Sequence, residues 1–369
     1  MTALRSFARR EPVFLIAALA AAITCFFVPP DARYLSYLDF RTLSLLFCLM
    51  TVVNGFRNAG LFAHLSHVLC EKAGNLRLIG LLLIMLCFIS SMLITNDVAL
   101  LTFVPFAVVV MGMAHHQREL VTVVVLQTIA ANLGSMLTPV GNPQNLFLYS
   151  FFDMGFGEFL AVTAPIWALS LLLLLLCCLL LKTERLDLFL GETPGMDRRA
   201  LLVYLALLIV CLLVVLRLLA WYFMLGIVVL VLLYYDRKIL LKADFMLLLT
   251  FVAFFVFSGN LARMTRVADT IRSLMHGREF LTALLASQAI SNVPAAILLA
   301  GFTDHSHALL LGVNVGGLGT PIASLASLIS LKLYSHSEHA RTGRFLAAFA
   351  VFNLVFLLLL AAASLLILR

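Results

Sequence analysis

The sequence predicts an all-α polytopic membrane protein built from two inverted-topology repeats, each with a re-entrant hairpin and a discontinuous helix. Three observations predict this fold: an apolar composition, long apolar runs, and an internal duplication of polar motifs. The 369-residue chain is 63% hydrophobic and 12% charged, and its mean hydropathy is +1.10. Soluble domains are about 45–50% apolar and about 25% charged. A soluble chain of this composition would expose large apolar patches, so an ordinary soluble protein is excluded.

The apolar residues form runs of about 17 to 25, the length that a helix needs to cross about 30 Å of hydrocarbon. We predict spans with these bounds: 12–29, 41–57, 120–150, 158–181, 200–217, 219–235, 245–260, 306–332 and 344–368. The apolar stretches 77–113 and 279–302 are interrupted near their middle by small polar residues. This interruption favours re-entrant hairpins, and 77–113 is also long enough for two full spans. The chain is therefore expected to cross the bilayer about nine times.

Basic residues predict the orientation of the chain. With a cytoplasmic N-terminus, where Arg5, Arg9 and Arg10 lie, about 17 of the 25 Lys and Arg residues fall on the inner side, in agreement with the positive-inside rule. The four arginines between Arg263 and Arg278 fall outside and run against that rule. The net charge of +7 thus belongs mainly to membrane-flanking loops, and no nucleic-acid partner is predicted.

The repeat prediction rests on matched sequence motifs. Residues 132–146 read NLGSMLTPVGNPQNL and residues 314–328 read NVGGLGTPIASLASL, with Asn, Gly, Thr, Pro and Leu at identical offsets. Upstream of each motif lies an apolar stretch with a polar centre, at 94–99 and at 290–295. Further upstream, a Gly recurs at Gly60 and Gly259, and an Asp-Phe pair opens the span before each of them. Four landmarks in the same order indicate a duplication.

The duplication also predicts the domain organisation. The predicted units are a first repeat at 1–181 with hairpin 77–113 and broken helix 120–150, a linker and central helix at 182–218, and a second repeat at 219–369 with hairpin 279–302 and broken helix 306–332. The single extra crossing between the copies turns the second copy upside down. Inverted repeats with discontinuous helices are typical of secondary transporters.

A Thr-Pro pair in the middle of each broken helix predicts the position of the break. Because proline removes a backbone donor and clashes with the preceding turn, Thr138-Pro139 and Thr320-Pro321 should interrupt their helices. Unwound backbone at that depth offers carbonyls to a cation and helix N-termini to an anion. We therefore predict a binding centre for the solute and its coupling ion, formed by Thr95, Asn96, Asp97, Asn132, Thr138, Gly141, Asn142, Ser291, Asn292, Asn314, Thr320 and Ser324.

Coupling ions are the only cofactors predicted. Four side chains of the predicted centre carry oxygens suited to sodium: Asn96, Asn142, Asn292 and Ser324. Gln144 and Asn145 add polar groups after the first break. In an alternative interpretation, the breaks are proline kinks whose polar residues bond to neighbouring helices, but the matched pair of sites favours a binding centre.

Asp97 is the acidic residue that the predicted spans place near the membrane centre. A carboxylate at that depth is costly, so we hypothesise that Asp97 carries the coupling proton or binds a coupling cation. The alternative is a carboxyl group that neighbouring amides neutralise or that caps a half-helix. The sequence lacks a GxxxxGK[ST] nucleotide loop and a second deep acid or deep histidine, so neither an ATP-driven pump nor an enzyme is expected.

At these residues the sequence resembles the ion-transporter superfamily, which includes citrate–metal symporters of the CitM type, arsenite permeases, sodium–proton antiporters and dicarboxylate symporters. The resemblance covers about residues 40–335 and is greatest to small citrate-transporter-like permeases of the bacterial inner membrane. Dicarboxylate symporters carry Ser-Asn-Thr-type motifs at their hairpin tips. The tips here, 95–97 and 291–293, read Thr-Asn-Asp and Ser-Asn-Val, and the Thr-Asn-Asp form is more similar to the arsenite and citrate branches.

The resemblance implies an elevator-like transport domain, formed by the hairpins and broken helices, that moves against a scaffold of the remaining helices, often in a homodimer. The sequence and the resemblance together predict a secondary active transporter for a small anion, either a carboxylate or an oxyanion, coupled to H⁺ or Na⁺. Two alternatives stay open. One is a sodium–proton antiporter, and the other is a membrane scaffold or receptor that transports nothing.

Overall fold

The computed structural model describes residues 11–71, 73–113, 117–184, 192–337 and 340–369. Over these residues the protein is α-helical and contains no strand, as the sequence predicts. Arg5, Arg9 and Arg10, which support the predicted orientation, lie outside the described residues.

The first half of the chain contains the first hairpin and the first broken helix. Its helices are Pro12–Phe27 (α1), Tyr34–Tyr37 (α2), Phe40–Asn58 (α3), Leu61–Glu71 (α4), Leu76–Ile94 (α5), Asn96–Met113 (α6), Gln117–Gly134 (α7), Pro143–Phe151 (α8) and Phe156–Cys178 (α9). Two short 3₁₀ turns, Ser135–Leu137 and Pro139–Gly141, connect α7 to α8.

The second half contains the corresponding elements after a central helix. Its helices are Arg198–Val215 (α10), Trp221–Tyr235 (α11), Arg237–Leu240 (α12), Phe245–Arg263 (α13), Thr265–Met275 (α14), Glu279–Ile290 (α15), Asn292–Ala300 (α16), Ser306–Gly316 (α17), Leu325–Ser335 (α18) and Thr342–Ile367 (α19).

Helix length gives a smaller number of spans than the sequence predicts. Six described helical segments are long and apolar enough to cross a bilayer, and a seventh candidate is the pair α3 and α4, bent by 52°. The predicted spans 12–29 and 219–235 are helices of only 16 and 15 residues, and 306–332 is two helices of 11 residues each. Helix α5 has 19 residues, about 28 Å of helix, so its length suits a full span as well as a hairpin arm. The count of nine crossings stays a prediction.

Both predicted hairpins are interrupted at their predicted tips. Thr95, between α5 and α6, has φ 67° and ψ 149°, and Ser291, between α15 and α16, has φ 72° and ψ 154°. Residues other than glycine rarely occupy this region, which costs about 1–3 kcal/mol per residue. The two tips therefore share the same strained backbone conformation.

Both predicted broken helices are interrupted at their Thr-Pro pairs. Helix α7 ends at Gly134, and α8 resumes at Pro143, where the Asn142 side chain caps it by accepting a hydrogen bond from the Asn145 N–H at 3.0 Å. Helix α17 ends at Gly316, and α18 resumes at Leu325. The predicted discontinuities are confirmed.

The helices pack in two groups. In one group, α7 packs against α5, α6, α9, α18 and α19, while α17 packs against α15 and α16. In the other group, α3 packs against α10 and α11, and α13 packs against α1. The groups meet where α16 contacts α13 and where α8 contacts α3. Helix α7 is at the centre of the first group, since 89% of its most apolar stretch is buried, against 22% for α19.

Close packing at the end of α7 leads to a stability prediction. A Cβ atom at Gly134 would lie 2.1 Å from the Phe88 carbonyl oxygen and 2.6 Å from Ser91 Oγ. Because backbone of α5 is the obstacle, we expect Gly134→Ala to destabilise the protein by about 1–3 kcal/mol or more. The measurement is thermal unfolding of the detergent-solubilised protein.

The matched control is Gly226→Ala in the middle of α11, where a Cβ atom would meet nothing within 4 Å. This change should be neutral or stabilising by about 0.5–1 kcal/mol, since alanine favours a helix over glycine. Equal melting temperatures for the two variants would contradict the close approach of α7 and α5.

Candidate functional site

The two hairpin tips and the two helix breaks meet around one cleft. Its lining residues are Asn96, Asp97, Pro143, Gln144, Leu247, Asn292, Val293, Ser324 and Leu325. Four residues of the predicted centre are among them, namely Asn96, Asp97, Asn292 and Ser324. The two tips contribute positions that match in the duplication to this lining, residues 96–97 from the first tip and residues 292–293 from the second.

Asn132, in α7, ties the first hairpin tip to the second break. Its Oδ1 accepts hydrogen bonds from Asn96 Nδ2 at 3.1 Å and from Ser324 Oγ at 2.9 Å. The side chain is only 4% exposed. Its Nδ2 is buried and finds no hydrogen-bond acceptor among the described residues, so one donor beside the cleft is unused.

Asn314, the residue that matches Asn132, makes the reciprocal connection. Its Oδ1 accepts from Asn142 Nδ2 at 3.3 Å, and Asn142 matches Ser324 in the duplication. Its Nδ2 donates to Asn145 Oδ1 at 2.6 Å and to the Leu310 carbonyl at 2.9 Å. Each half therefore supplies a buried asparagine that a break residue of the other half contacts.

The tip asparagines play equivalent local roles. Asn96 Oδ1 accepts from the Asp97 N–H at 3.0 Å, and Asn292 Oδ1 accepts from the Val293 N–H at 2.9 Å. These bonds satisfy an N–H at the start of α6 and of α16, where helices leave donors unpaired. Ser291 donates weakly, at 3.4 Å, to the Ala323 carbonyl, and the Asn292 N–H donates to the same oxygen at 3.0 Å.

Eight of the twelve residues of the predicted centre lie outside the cleft lining, and three of these eight build the breaks. The Thr138 hydroxyl donates to the Met92 carbonyl. Gly141 lies against Ser135, whose carbonyl oxygen a Cβ atom would approach to 2.1 Å. Thr320 is exposed, and its N–H and hydroxyl donate to the side chain and the carbonyl of Gln288 at 2.9 and 3.2 Å. Their contacts are structural.

The expectation that the breaks leave carbonyls free for a cation requires correction for five carbonyls that side-chain amides contact. Asn145 Nδ2 lies 3.3–3.4 Å from the carbonyls of Ser135, Met136 and Thr138. In the second half, Gln288 Nε2 donates to the carbonyls of Gly316 and Leu318 at 2.7 and 2.8 Å. Buried backbone groups need partners, and here side-chain amides provide them.

Gln288 is a structural residue of the site that the sequence analysis missed. It lies on α15, three residues before the tip Ser291, and its only sequence signal is a polar residue in an apolar stretch. Gly319, with φ +100°, gives it room, since a Cβ atom there would lie 2.4 Å from Gln288 Oε1.

Asp97 connects the cleft to a second cavity. Asp97 Oδ1 is buried and accepts no hydrogen bond from the described residues. The carboxylate also lines a cavity of about 230 Å³ between α3 and the first hairpin, together with Asn54, Thr95, Lys242 and Asp244. Of the described residues that line the cleft itself, none is basic.

Similarity to known proteins shows the family. A family model described as citrate transporter matches residues 4–308. The chain belongs to the citrate transporter family. The predicted resemblance to the citrate-transporter-like group is thereby confirmed, and the chain is a multi-span membrane transporter.

Relatives of this transporter cover most of its length. An uncharacterized transporter of Methanocaldococcus jannaschii is 32% identical over 88% of this chain and 89% of its own. Inner membrane protein YbiR of Escherichia coli is 30% identical over 84% of both chains. A silicon efflux transporter of Oryza sativa is 31% identical over a shorter part, 37% of this chain and 28% of its own.

A solved structure of another transporter has a similar fold. The crystal structure of the Alcanivorax borkumensis YdaH transporter superposes with a TM-score of 0.57 over 95% of this chain and 96% of its own, at 14% identity. At this identity the similarity concerns the fold alone.

Proposed function

We propose that the protein is a secondary active transporter that moves a small carboxylate or oxyanion together with H⁺ or Na⁺. The observation that carries this proposal is the convergence of two strained hairpin tips and two helix breaks on one cleft that contains Asp97. Strained non-glycine backbone persists only where the surroundings hold it in place, and it is concentrated at functional sites. Two strained tips and two helix breaks around one carboxylate support a binding site.

Electrostatics supports the coupling of an anion to a cation. An unpaired carboxylate in a low-dielectric interior is costly, and a proton or a sodium ion at Asp97 would remove most of that cost. Since none of the described lining residues is basic, an anion in the cleft would be repelled by an ionised Asp97. Anion binding and neutralisation of Asp97 would therefore favour each other.

The sodium ligands in this proposal are Asn96, Asn292 and Ser324, which line the cleft. Asn142, the fourth side chain predicted for sodium, is used within the protein: its Nδ2 donates to Ser135 and Asn314, and its Oδ1 accepts from the Asn145 N–H. We assign it a supporting role.

Transport in this proposal is elevator-like. The hairpins and broken helices would move against a scaffold of the remaining helices, and the cavity of about 230 Å³ lies between α3 of the scaffold and the first hairpin. Reciprocal contacts of Asn132 with Ser324 and of Asn314 with Asn142 support a duplicated arrangement of the two halves, and the inversion of the second repeat and the bounds of both repeats stay predictions. We further propose a homodimer in a bacterial inner membrane with a cytoplasmic N-terminus, as the sequence analysis predicts.

The test is uptake of citrate, succinate, arsenite and silicic acid by proteoliposomes, each with an inward proton gradient, an inward sodium gradient, or neither. We expect saturable uptake of at least one solute, stimulated by one of the two gradients. Empty liposomes and a protonophore or sodium ionophore serve as controls. Uptake of no solute in any condition, with no solute raising the melting temperature, would contradict the proposal.

A sodium–proton antiporter is the second candidate, favoured by a cleft with a carboxylate and no basic residue among its described lining. Proton release from proteoliposomes on addition of sodium, with no solute present, would establish it. The anion proposal would then be abandoned.

A further inference from the structure

The two halves of the chain contribute unequal chemistry to the cleft. At the tips, Asn96 matches Asn292, but Asp97 matches Val293. After the breaks, the first half carries Gln144 where the second half carries Ala326. The polar lining groups without a counterpart are therefore Asp97 and Gln144, both from the first half.

Gln144 is buried without a protein partner. It lies in the first turn of α8, is 2% exposed and lines the cleft. Its neighbours Asn142 and Asn145 use their amides fully within the protein, whereas the Gln144 side chain makes no hydrogen bond to the described residues. The Gln144 amide atoms are not among the fully buried atoms that lack a partner, so they keep access to the cleft that the residue lines, where Ala326 would offer no polar group.

We propose that Gln144 is a specificity-determining residue whose side-chain amide binds oxygen atoms of the transported solute. This inference rests on the proposed function. A glutamine amide presents an N–H donor and a carbonyl acceptor side by side, and this pair matches a group with an oxygen acceptor next to a hydroxyl. The solute class that matches is a small oxyacid or hydroxycarboxylic acid, which would contact both Gln144 and the neutralised Asp97 of the cleft lining. The cleft has room for about one water molecule, about 10 Å³, so it would have to widen to admit the solute.

The test compares Gln144→Ala, which introduces the residue of the second half, with Gln144→Glu, which keeps the acceptor and removes the donor. Proteoliposome KM and kcat are measured for citrate, succinate, arsenite and silicic acid. We expect Gln144→Ala to raise KM for the preferred solute at least tenfold, with kcat within about twofold. The ratio of kcat/KM between the preferred and the second-best solute should fall by a similar factor in Gln144→Ala. In Gln144→Glu, kcat/KM should fall most for the anionic solutes.

The matched control is Gln127→Leu. Gln127 is a fully buried glutamine in α7 whose Nε2 donates to the Leu83 and Phe103 carbonyls at 3.4 and 3.3 Å, away from the cleft lining. Gln127 Oε1 is buried and accepts no hydrogen bond from the described residues, so the change removes an unsatisfied acceptor along with two long hydrogen bonds. It should leave the ratio of kcat/KM between solutes unaltered.

The outcomes separate the inference from the proposed function. Suppose that the wild-type protein takes up a solute and that a folded Gln144→Ala variant has the same ratio of kcat/KM between solutes as the wild type. This result would overturn the inference and leave the proposed function standing. A uniform loss for all solutes, accompanied by a fall in the melting temperature of Gln144→Ala, would also overturn it, since the role would then be structural. Wild-type protein that neither transports nor binds any of the four probes would overturn both.

Discussion

Asp97→Asn is expected to abolish the dependence of solute uptake on the coupling gradient. Asparagine keeps the size of the side chain but can neither take up a proton nor offer a carboxylate to sodium. An interaction with a charged group is worth about 1.5–3 kcal/mol, so gradient-driven uptake should fall by about 10- to 100-fold. Solute exchange at equal concentrations on both sides of the membrane needs no gradient and should fall less. The measurement is the ratio of gradient-driven uptake to exchange.

Asp39→Asn is the control for this experiment. Asp39 precedes α3 and caps it, accepting a hydrogen bond from the Thr42 N–H at 3.0 Å, and it is not among the residues that line the cleft. Because asparagine caps helices about as well as aspartate, uptake and its pH and sodium dependence should be close to wild type. If Asp97→Asn transported with unaltered pH and sodium dependence, the coupling role of Asp97 would be refuted.

The second large effect is expected for Asn132→Ala. Asn132 Oδ1 is the acceptor for Asn96 and for Ser324, so its removal leaves two buried donors unsatisfied, at about 1–3 kcal/mol each. The first tip and the second break would also lose the contact that sets their separation. We expect a lower melting temperature and the loss of most transport.

Asn314→Ala should behave in the same way, since Asn314 makes the reciprocal contacts with Asn142 and Asn145. The control is Asn353→Ala in α19, a fully buried asparagine whose Nδ2 donates only within its own helix, to the Phe349 carbonyl at 2.9 Å. That change should affect transport little. Full activity of the Asn96, Asn132, Asn292 and Asn314 alanine variants would instead support a scaffold or receptor.

The elements predicted best from the sequence are those that depend on local chemistry. Proline removes a backbone donor and clashes with the preceding turn, and the breaks at Thr138-Pro139 and Thr320-Pro321 are found where the sequence places them. Proline alone is not decisive, since α6 and α9 continue through Pro105 and Pro165. Small polar residues in an apolar stretch predicted both hairpin tips, Thr95 and Ser291. The apolar composition alone established the class of protein.

Residues that match in the duplication do not always have the same structural role. Gly60 and Gly259 are landmarks of the duplication, yet only Gly60 has a positive φ, +79°. At Gly259 a Cβ atom would lie 2.5 Å from the Tyr37 ring. One glycine is required by its backbone conformation and the other by a neighbouring ring. Only the packed structure distinguishes them.

The sequence by itself determined that the chain spans a membrane, that its halves share motifs, and where its helices break, because these properties follow from composition, spacing and proline. The tertiary structure decided how the polar groups are used, because hydrogen bonds between segments far apart in sequence cannot be derived from spacing. It placed Asn145 and Gln288 on the carbonyls of the breaks, removed Thr320 from the cleft, and left Gln144 without a partner beside Asp97. Each of these assignments depends on which helices lie side by side.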